Sequence, residues 1–173
     1  MKAFLTILFL SVLVVSCGSS KRSIKTNNAI TSSSSSIPVG SGEDYTLVGA
    51  RVSLYAKQFE GVKYRYGGNT RKGMDCSGLI CQSYLSENIT LPRRSRDMSL
   101  QGERLKLKEV TLGDLLFFGT RKNSKVINHV GMVVELDEHH IYFIHSTSSR
   151  GVIISALDQE YWRKAFVMAR RMI

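Results

Sequence analysis

The sequence predicts an α+β domain over residues 44–173, with N-terminal helices packed on an antiparallel β-sheet. Two patterns predict it. In the first third of that region apolar residues recur at helical spacing, whereas beyond Leu91-Pro92 they come in short runs broken by Gly, Asp and Asn. Helical segments followed by strands, instead of alternating with them, segregate the helices from a sheet whose neighbouring strands run antiparallel. With 173 residues, 43% of them hydrophobic and 22% charged, the chain has room for one catalytic domain of ordinary size.

Ahead of that domain, Lys2 is followed by an almost unbroken apolar run from Ala3 to Val15. A permanent membrane helix needs about 20 apolar residues, so this shorter run reads as the core of a signal peptide over residues 1–16. Val14-Val15-Ser16-Cys17 resembles a bacterial lipobox, which implies a lipid anchor on Cys17 as the first residue of the mature protein. Residues 17–43 then form a linker that includes the run Ser32 to Ser36 and lacks the apolar surface to offset its ordering entropy. Twenty-five such residues span roughly 25–30 Å in the root-mean-square sense. The formal net charge of +10 is spread along the chain instead of forming a block, which argues against nucleic acid as a partner and leaves an anionic polymer or lipid head groups open.

Within the domain, Val48, Val52, Tyr55 and Phe59 fall on one face of a first helix that Gly61 ends. After Tyr66-Gly67-Gly68 comes Asp75-Cys76-Ser77-Gly78, then Leu79, Ile80, Tyr84 and Leu85 at helical spacing, so Cys76 opens a second helix. Strands are expected at Leu115 to Phe118, Val130 to Val134, Ile141 to Ile144 and Val152 to Ile154. Cys76 and Cys81 lie five apart on one helix, about 140° around its axis, and cannot bridge each other. A free thiol at a helix N-terminus points to nucleophilic catalysis, since the unsatisfied N–H groups and a nearby imidazolium both lower a thiol pKa. Cys81 reads as a small buried hydrophobe, and Tyr161 and Trp162 as a packing motif.

The histidines supply the base. A hairpin turn centred near residue 137 sets His129 opposite His145 on one face of the sheet, as a base and the group that orients it. His139 and His140 fall on the turn, in solvent. No C-x-x-C or H-E-x-x-H spacing occurs, so no metal and no cofactor is expected.

Taken together, Tyr64-Arg65-Tyr66-Gly67-Gly68, Asp75-Cys76-Ser77-Gly78, Leu91-Pro92-Arg93, Gly113-Asp114-Leu115, His129-Val130-Gly131, Phe143-Ile144-His145 and Tyr161-Trp162 resemble the NlpC family of cell-wall endopeptidases over about 120 residues. The resemblance implies a papain-like core and hydrolysis of the D-glutamyl–diaminopimelate (or D-glutamyl–lysine) bond of peptidoglycan stem peptides. It matches Cys76 to the nucleophile, His129 to the base, His145 to the orienting residue and Tyr64 to the active-site wall. Asp75 and Ser77 stand where the family contacts substrate or oxyanion, and Arg93 suits either a stem carboxylate or a surface ion pair. Leu112 departs from the family's usual Pro, and the hairpin bearing His139 and His140 is slightly long. The expected site is the cell envelope, anchored through Cys17 to the outer membrane and facing the periplasm, with any protein regulator left open. The alternatives are an amidase or transacylase on the same core, or a wall-binding lipoprotein without catalysis.

Overall fold

The structure, a computed structural model, describes residues 42–122 and 124–173. The expected signal peptide, Cys17 and all but the last two residues of the linker lie outside the described residues. No described helix is long and apolar enough to cross a membrane.

Helix α1 (Gly42–Lys57) starts two residues before the expected domain boundary. Its Val52 and Ala56, with Phe59 just beyond its end, are buried against α2 (Cys76–Leu85) and the sheet. Between the helices lies a small hairpin, β1 (Asn69–Thr70) with β2 (Gly73–Met74). Helix α2 is expected and observed at the same place, and it buries Leu79, Ile80 and Tyr84. Leu85, assigned to the same apolar face, is instead 51% exposed, because the chain turns away one residue later.

After a short helix α3 (Ser95–Met98), the sheet assembles in the order β3–β8–β4–β5–β6–β7, every pair antiparallel. The expected strands appear as β4 (Leu115–Phe118), β5 (His129–Leu136), β6 (Ile141–Thr147) and β7 (Gly151–Ala156). Two were not foreseen. Strand β3 (Glu103–Leu105) is a three-residue edge, and β8 (Phe166–Arg171), reached through helix α4 (Glu160–Ala165), is inserted between β3 and β4. Strand β8 ends in Arg170-Arg171, and its identity as an interior strand comes from tertiary pairing that a local apolar pattern does not signal. Arg171 explains the charge there: its guanidinium grips the buried Asp114 carboxylate at 2.7 and 3.0 Å and so ties β8 to the turn before β4.

The period-2 alternation of the strands separates two cores. One face carries Leu115, Phe117, Val130, Met132 and Ile144 toward α1 and α2. The other carries Leu116, Phe118, Val133 and Phe143 toward Trp162 and Ala165 of α4. This second face is the one to which His129 and His145 belong.

Tyr84 joins α2 to the turn before β4, its fully buried hydroxyl donating to the Gly113 carbonyl at 2.7 Å. Burial pushes that phenol's pKa far up, so it remains a donor at every accessible pH. Tyr84→Phe is expected to cost about 1–3 kcal/mol in urea unfolding by stranding a buried carbonyl, with turnover per folded molecule unchanged. A loss under about 0.5 kcal/mol would show that this bond does not hold α2 in place.

Candidate active site

The N-terminus of α2 is fixed by Asp75, the N-cap residue in extended conformation. Its Oδ1 accepts from Gly78 N–H at 2.7 Å and Ser77 Oγ at 3.4 Å, and its Oδ2 accepts from Gly67 N–H and from Arg93 Nη2, both at 2.8 Å. Gly67 holds a left-handed backbone conformation, φ 71°, which lets its N–H turn toward that carboxylate. Gly78 is required for space: a side chain there would collide with the Gly68 carbonyl. Arg93 also donates to Ser77 Oγ at 2.6 Å. Of its two sequence readings, an ion pair therefore describes this residue, although the pair faces the site instead of the bulk surface.

Cys76 follows the cap directly. The first bond of the helix runs from Leu79 N–H to the Asp75 carbonyl, so the N–H groups of Cys76 and Ser77 have no partner within α2, and together with that of Val130 they act to lower the pKa of the Cys76 thiol. The ladder between β5 and β6 stops at Met132–Ile144, which frees the start of β5 to meet the thiol. Cys76 and Cys81 are both free thiols. Cys81, half-buried, packs against the core and lies 3.6–3.7 Å from the carbonyls of Leu91 and Pro92, in keeping with a structural role.

His129 and Cys76 line one cavity of about 210 Å³, together with Tyr64, Asn128 and Trp162. His129 Nε2 lies 3.0 Å from His145 Nδ1, and His145 Nε2 lies 2.9 Å from Ser155 Oγ on β7. The expected pair is in contact, but the register differs. Paired residues on β5 and β6 are Met132–Ile144 and Val133–Phe143, a two-residue offset from the count used above, with a bulge between Val133 and Glu135. Continued outward, that register sets His129 opposite Thr147, so the imidazoles meet across a diagonal. The parity that put both on one face survives an offset of two. His139 and His140 are on the turn as expected, His140 between Asp137 and Asp158.

Ser155 was not anticipated, since one serine in an apolar strand carries no signal until its neighbour on β6 is known. Trp162 was read as packing alone. Its ring stacks on His129 (centroids 5.5 Å, 21°) and meets His145 edge-on at 4.6 Å, while Phe143 stacks on His145 at 4.8 Å. This aromatic enclosure buries His145 completely and leaves His129 partly accessible from the cavity. Burial pulls His129 down to about 4 and His145, which also feels His129 and Arg150, down to about 3. Burial likewise pushes the Cys76 thiol up, with the negative charge of Asp75 adding to it and the three N–H groups opposing. Burial thus opposes ionisation of both groups, and the lowering of the thiol comes from the N–H groups at the helix start and on β5. Tyr64, on the cavity wall, is raised by burial and by the charges of Asp75 and Cys76.

The sequence matches the NlpC/P60 family over residues 61–171. The chain belongs to that family. Among curated NlpC/P60 relatives, it is 35% identical over 130 residues to the probable endopeptidase NlpC of Escherichia coli (strain K12), covering 75% of this chain and 81% of that protein. It is 30% identical over 151 residues to the murein DD-endopeptidase MepS/murein LD-carboxypeptidase of the same organism, covering 84% and 77%. A crystal structure of an NlpC/P60 family protein from Bacillus cereus ATCC 10987 aligns with a TM-score of 0.64 at 30% identity, over 72% of this chain and 40% of that one. The α+β fold of the NlpC/P60 neighbours, helices on an antiparallel sheet, is thus the fold expected.

Because both imidazoles are held below their ordinary value of 6.5, His129 stays unprotonated until about pH 4. The acid limb of kcat/KM is expected near pH 4–5, and a pH–rate profile with its limb at 6–7 would show a solvated or thiolate-paired ring instead. The same depression makes the unfolded state bind more protons between the two pKa values. Thermal stability should therefore fall as pH drops from 6.5 toward 4.

Proposed function

We propose that this chain is a cysteine endopeptidase of peptidoglycan that cleaves stem peptides through a thioester on Cys76. The observation that carries the reading is the hydrogen-bonded chain His129–His145–Ser155 ending in the cavity that holds Cys76. Family membership and the printed activities of the two relatives, endopeptidase and murein DD-endopeptidase, support it.

The chemistry follows from the hydrogen-bond directions. Of the two tautomer sets these contacts allow, the proposed relay uses the one in which His145 Nε2–H donates to Ser155 Oγ and His129 Nε2–H donates to His145 Nδ1, which leaves His129 Nδ1 free to take the thiol proton. As Sγ attacks the scissile carbonyl carbon, its proton passes to His129 Nδ1, and the oxyanion takes the N–H groups of Cys76 and Ser77. His129 then protonates the departing amine, the C–N bond breaks and a thioester remains. Water, deprotonated by the same ring, attacks the thioester and restores the thiol. Asp75 and Arg93 hold this geometry and face the cavity on the Tyr64 side. The proposed bond is D-glutamyl–diaminopimelate (or D-glutamyl–lysine), and the DD-endopeptidase relative favours a DD bond as the second reading. Mass spectrometry of defined muropeptides digested by the full chain distinguishes them, and intact muropeptides after incubation would end the peptidase reading.

The relay sets a ranking of variants in kcat/KM on one muropeptide. Cys76→Ala should abolish turnover with folding intact, and His129→Ala should lower kcat by several orders of magnitude. His145→Ala should cost about 10–1000-fold, and Ser155→Ala about 3–30-fold, with Ser155→Thr recovering much of it. In Ser155→Ala the ¹⁵N spectrum should show His145 Nε2 losing part of its proton population, a change that loss of packing alone does not cause. His139→Ala and His140→Ala should change activity less than about twofold, and a larger loss for His140 than for His145 would refute the relay.

The proposed location is the cell envelope, through a lipid on Cys17 at the outer membrane, facing the periplasm. Cys17→Ser should release the protein to the soluble exported fraction or leave its leader uncleaved. Membrane association that persists in that variant through a high-salt wash would rule out the anchor.

A further inference from the structure

Three cavities adjoin along one side of the domain, and the one with Cys76 and His129 lies between the others. The first, about 450 Å³, shares Tyr64, Cys76 and Asn128 with the catalytic cavity and contains Asp75 and Arg93. The third, about 480 Å³, shares Thr120 and Tyr161 with it instead. A peptide threaded from the first to the third passes Cys76 and then His129.

The base fixes the direction. His129 must protonate the departing nitrogen, so the leaving half of the substrate lies on its side of the scissile carbon. That side opens into the third cavity, whereas the acyl half lies toward Asp75 and Arg93.

The third cavity is lined by Arg121, Lys122, Lys125 and Lys164, and no acidic side chain lines it among the described residues. Lys125 Nζ is pinned in place, donating to the carbonyls of Lys164 at 2.8 Å and Phe166 at 3.1 Å. Lys164 is the one neutralised, by Glu160 at 2.6 Å. Arg121 and Lys122 form no ion pair among the described residues. Four cations around one concave surface, at most one of them compensated, raise the potential for an anion and repel an ammonium group.

Resting on the peptidase reading above, we propose that this basic cavity is the subsite for the leaving residue and selects one whose side chain carries a free carboxylate. A diaminopimelate-type residue with its side-chain carboxylate free fits. Lysine at the same position, or the amidated form, brings no anion to the four cations. The contacts are exposed and screened within about 8 Å at physiological salt, so selectivity should reside in KM and weaken with added salt.

The test uses the full chain and two synthetic stem peptides that differ only in whether the leaving residue's side-chain carboxylate is free or amidated. The wild type should favour the free acid in kcat/KM by about tenfold, a preference that shrinks as salt is raised. Arg121→Gln combined with Lys122→Gln, both exposed positions, should bring the ratio below about threefold by raising KM for the free acid. Equal cleavage of the two peptides by the wild type overturns the subsite alone, as does a preference indifferent to both salt and the double variant. If the wild type cuts neither peptide, the peptidase reading falls and the subsite with it.

Discussion

Asp75 is 8% exposed, a costly place for a carboxylate, and it is tolerated because its oxygens collect partners from three separate segments. Gly78 N–H and Ser77 Oγ come from α2, Gly67 N–H from the glycine turn, and Arg93 from the segment before α3. Those bonds set the first turn of α2 against the glycine turn, and Cys76 is the first residue of that helix. The sulfur's position is thus a consequence of one saturated carboxylate. Without the cap, the first turn would be free to fray, and the N–H groups that lower the thiol pKa would lose their common aim.

The proposed base is positioned by different means. His129 sits at the start of β5, paired with Phe118 of β4 but beyond the last residues paired with β6. Trp162 and Phe118 confine the ring, and His145 ties down its Nε2. Enclosure by aromatic rings has an electrostatic consequence, because it removes part of the water that would stabilise an imidazolium. The same packing that orients the ring therefore also lowers its pKa, which favours the unprotonated form that the proposed base needs.

How far the sequence revealed this arrangement depended on the range of each interaction. Helix α2 and the place of Cys76 at its start were legible because capping residue, glycine and apolar spacing all lie within a dozen positions of Cys76. The side-by-side placement of His129 and His145 was legible through parity, a property that a bulge and an offset of two residues left intact. Strand β8 was not, because an interior strand ending in two arginines makes sense only once Asp114 is seen as the partner of Arg171. Ser155 and the ring contacts of Trp162 were hidden for the same reason. Each is defined by a neighbour on another element, and the resemblance that suggested Cys76, His129 and His145 conveyed nothing about what surrounds them.

The upward push of burial on the Cys76 thiol also bears on how a free thiol survives outside the cytoplasm, where this chain is proposed to work. Oxidation and disulfide exchange proceed through the thiolate, so a thiol whose pKa is pushed up by burial is protected in proportion. Burial raises Cys81 as well, despite the opposing charge of Arg93. For Cys76 the protection need not cost catalysis, provided that ionisation is coupled to attack and His129 takes the proton as the S–C bond forms. In the proposed mechanism the N–H groups of Cys76 and Ser77, which favour the thiolate at rest, would then stabilise the new oxyanion without reorganisation of the helix. A preformed ion pair would give a faster thiol but an indiscriminate one. The aromatic enclosure favours a nucleophile that becomes reactive when a carbonyl is in place to receive it.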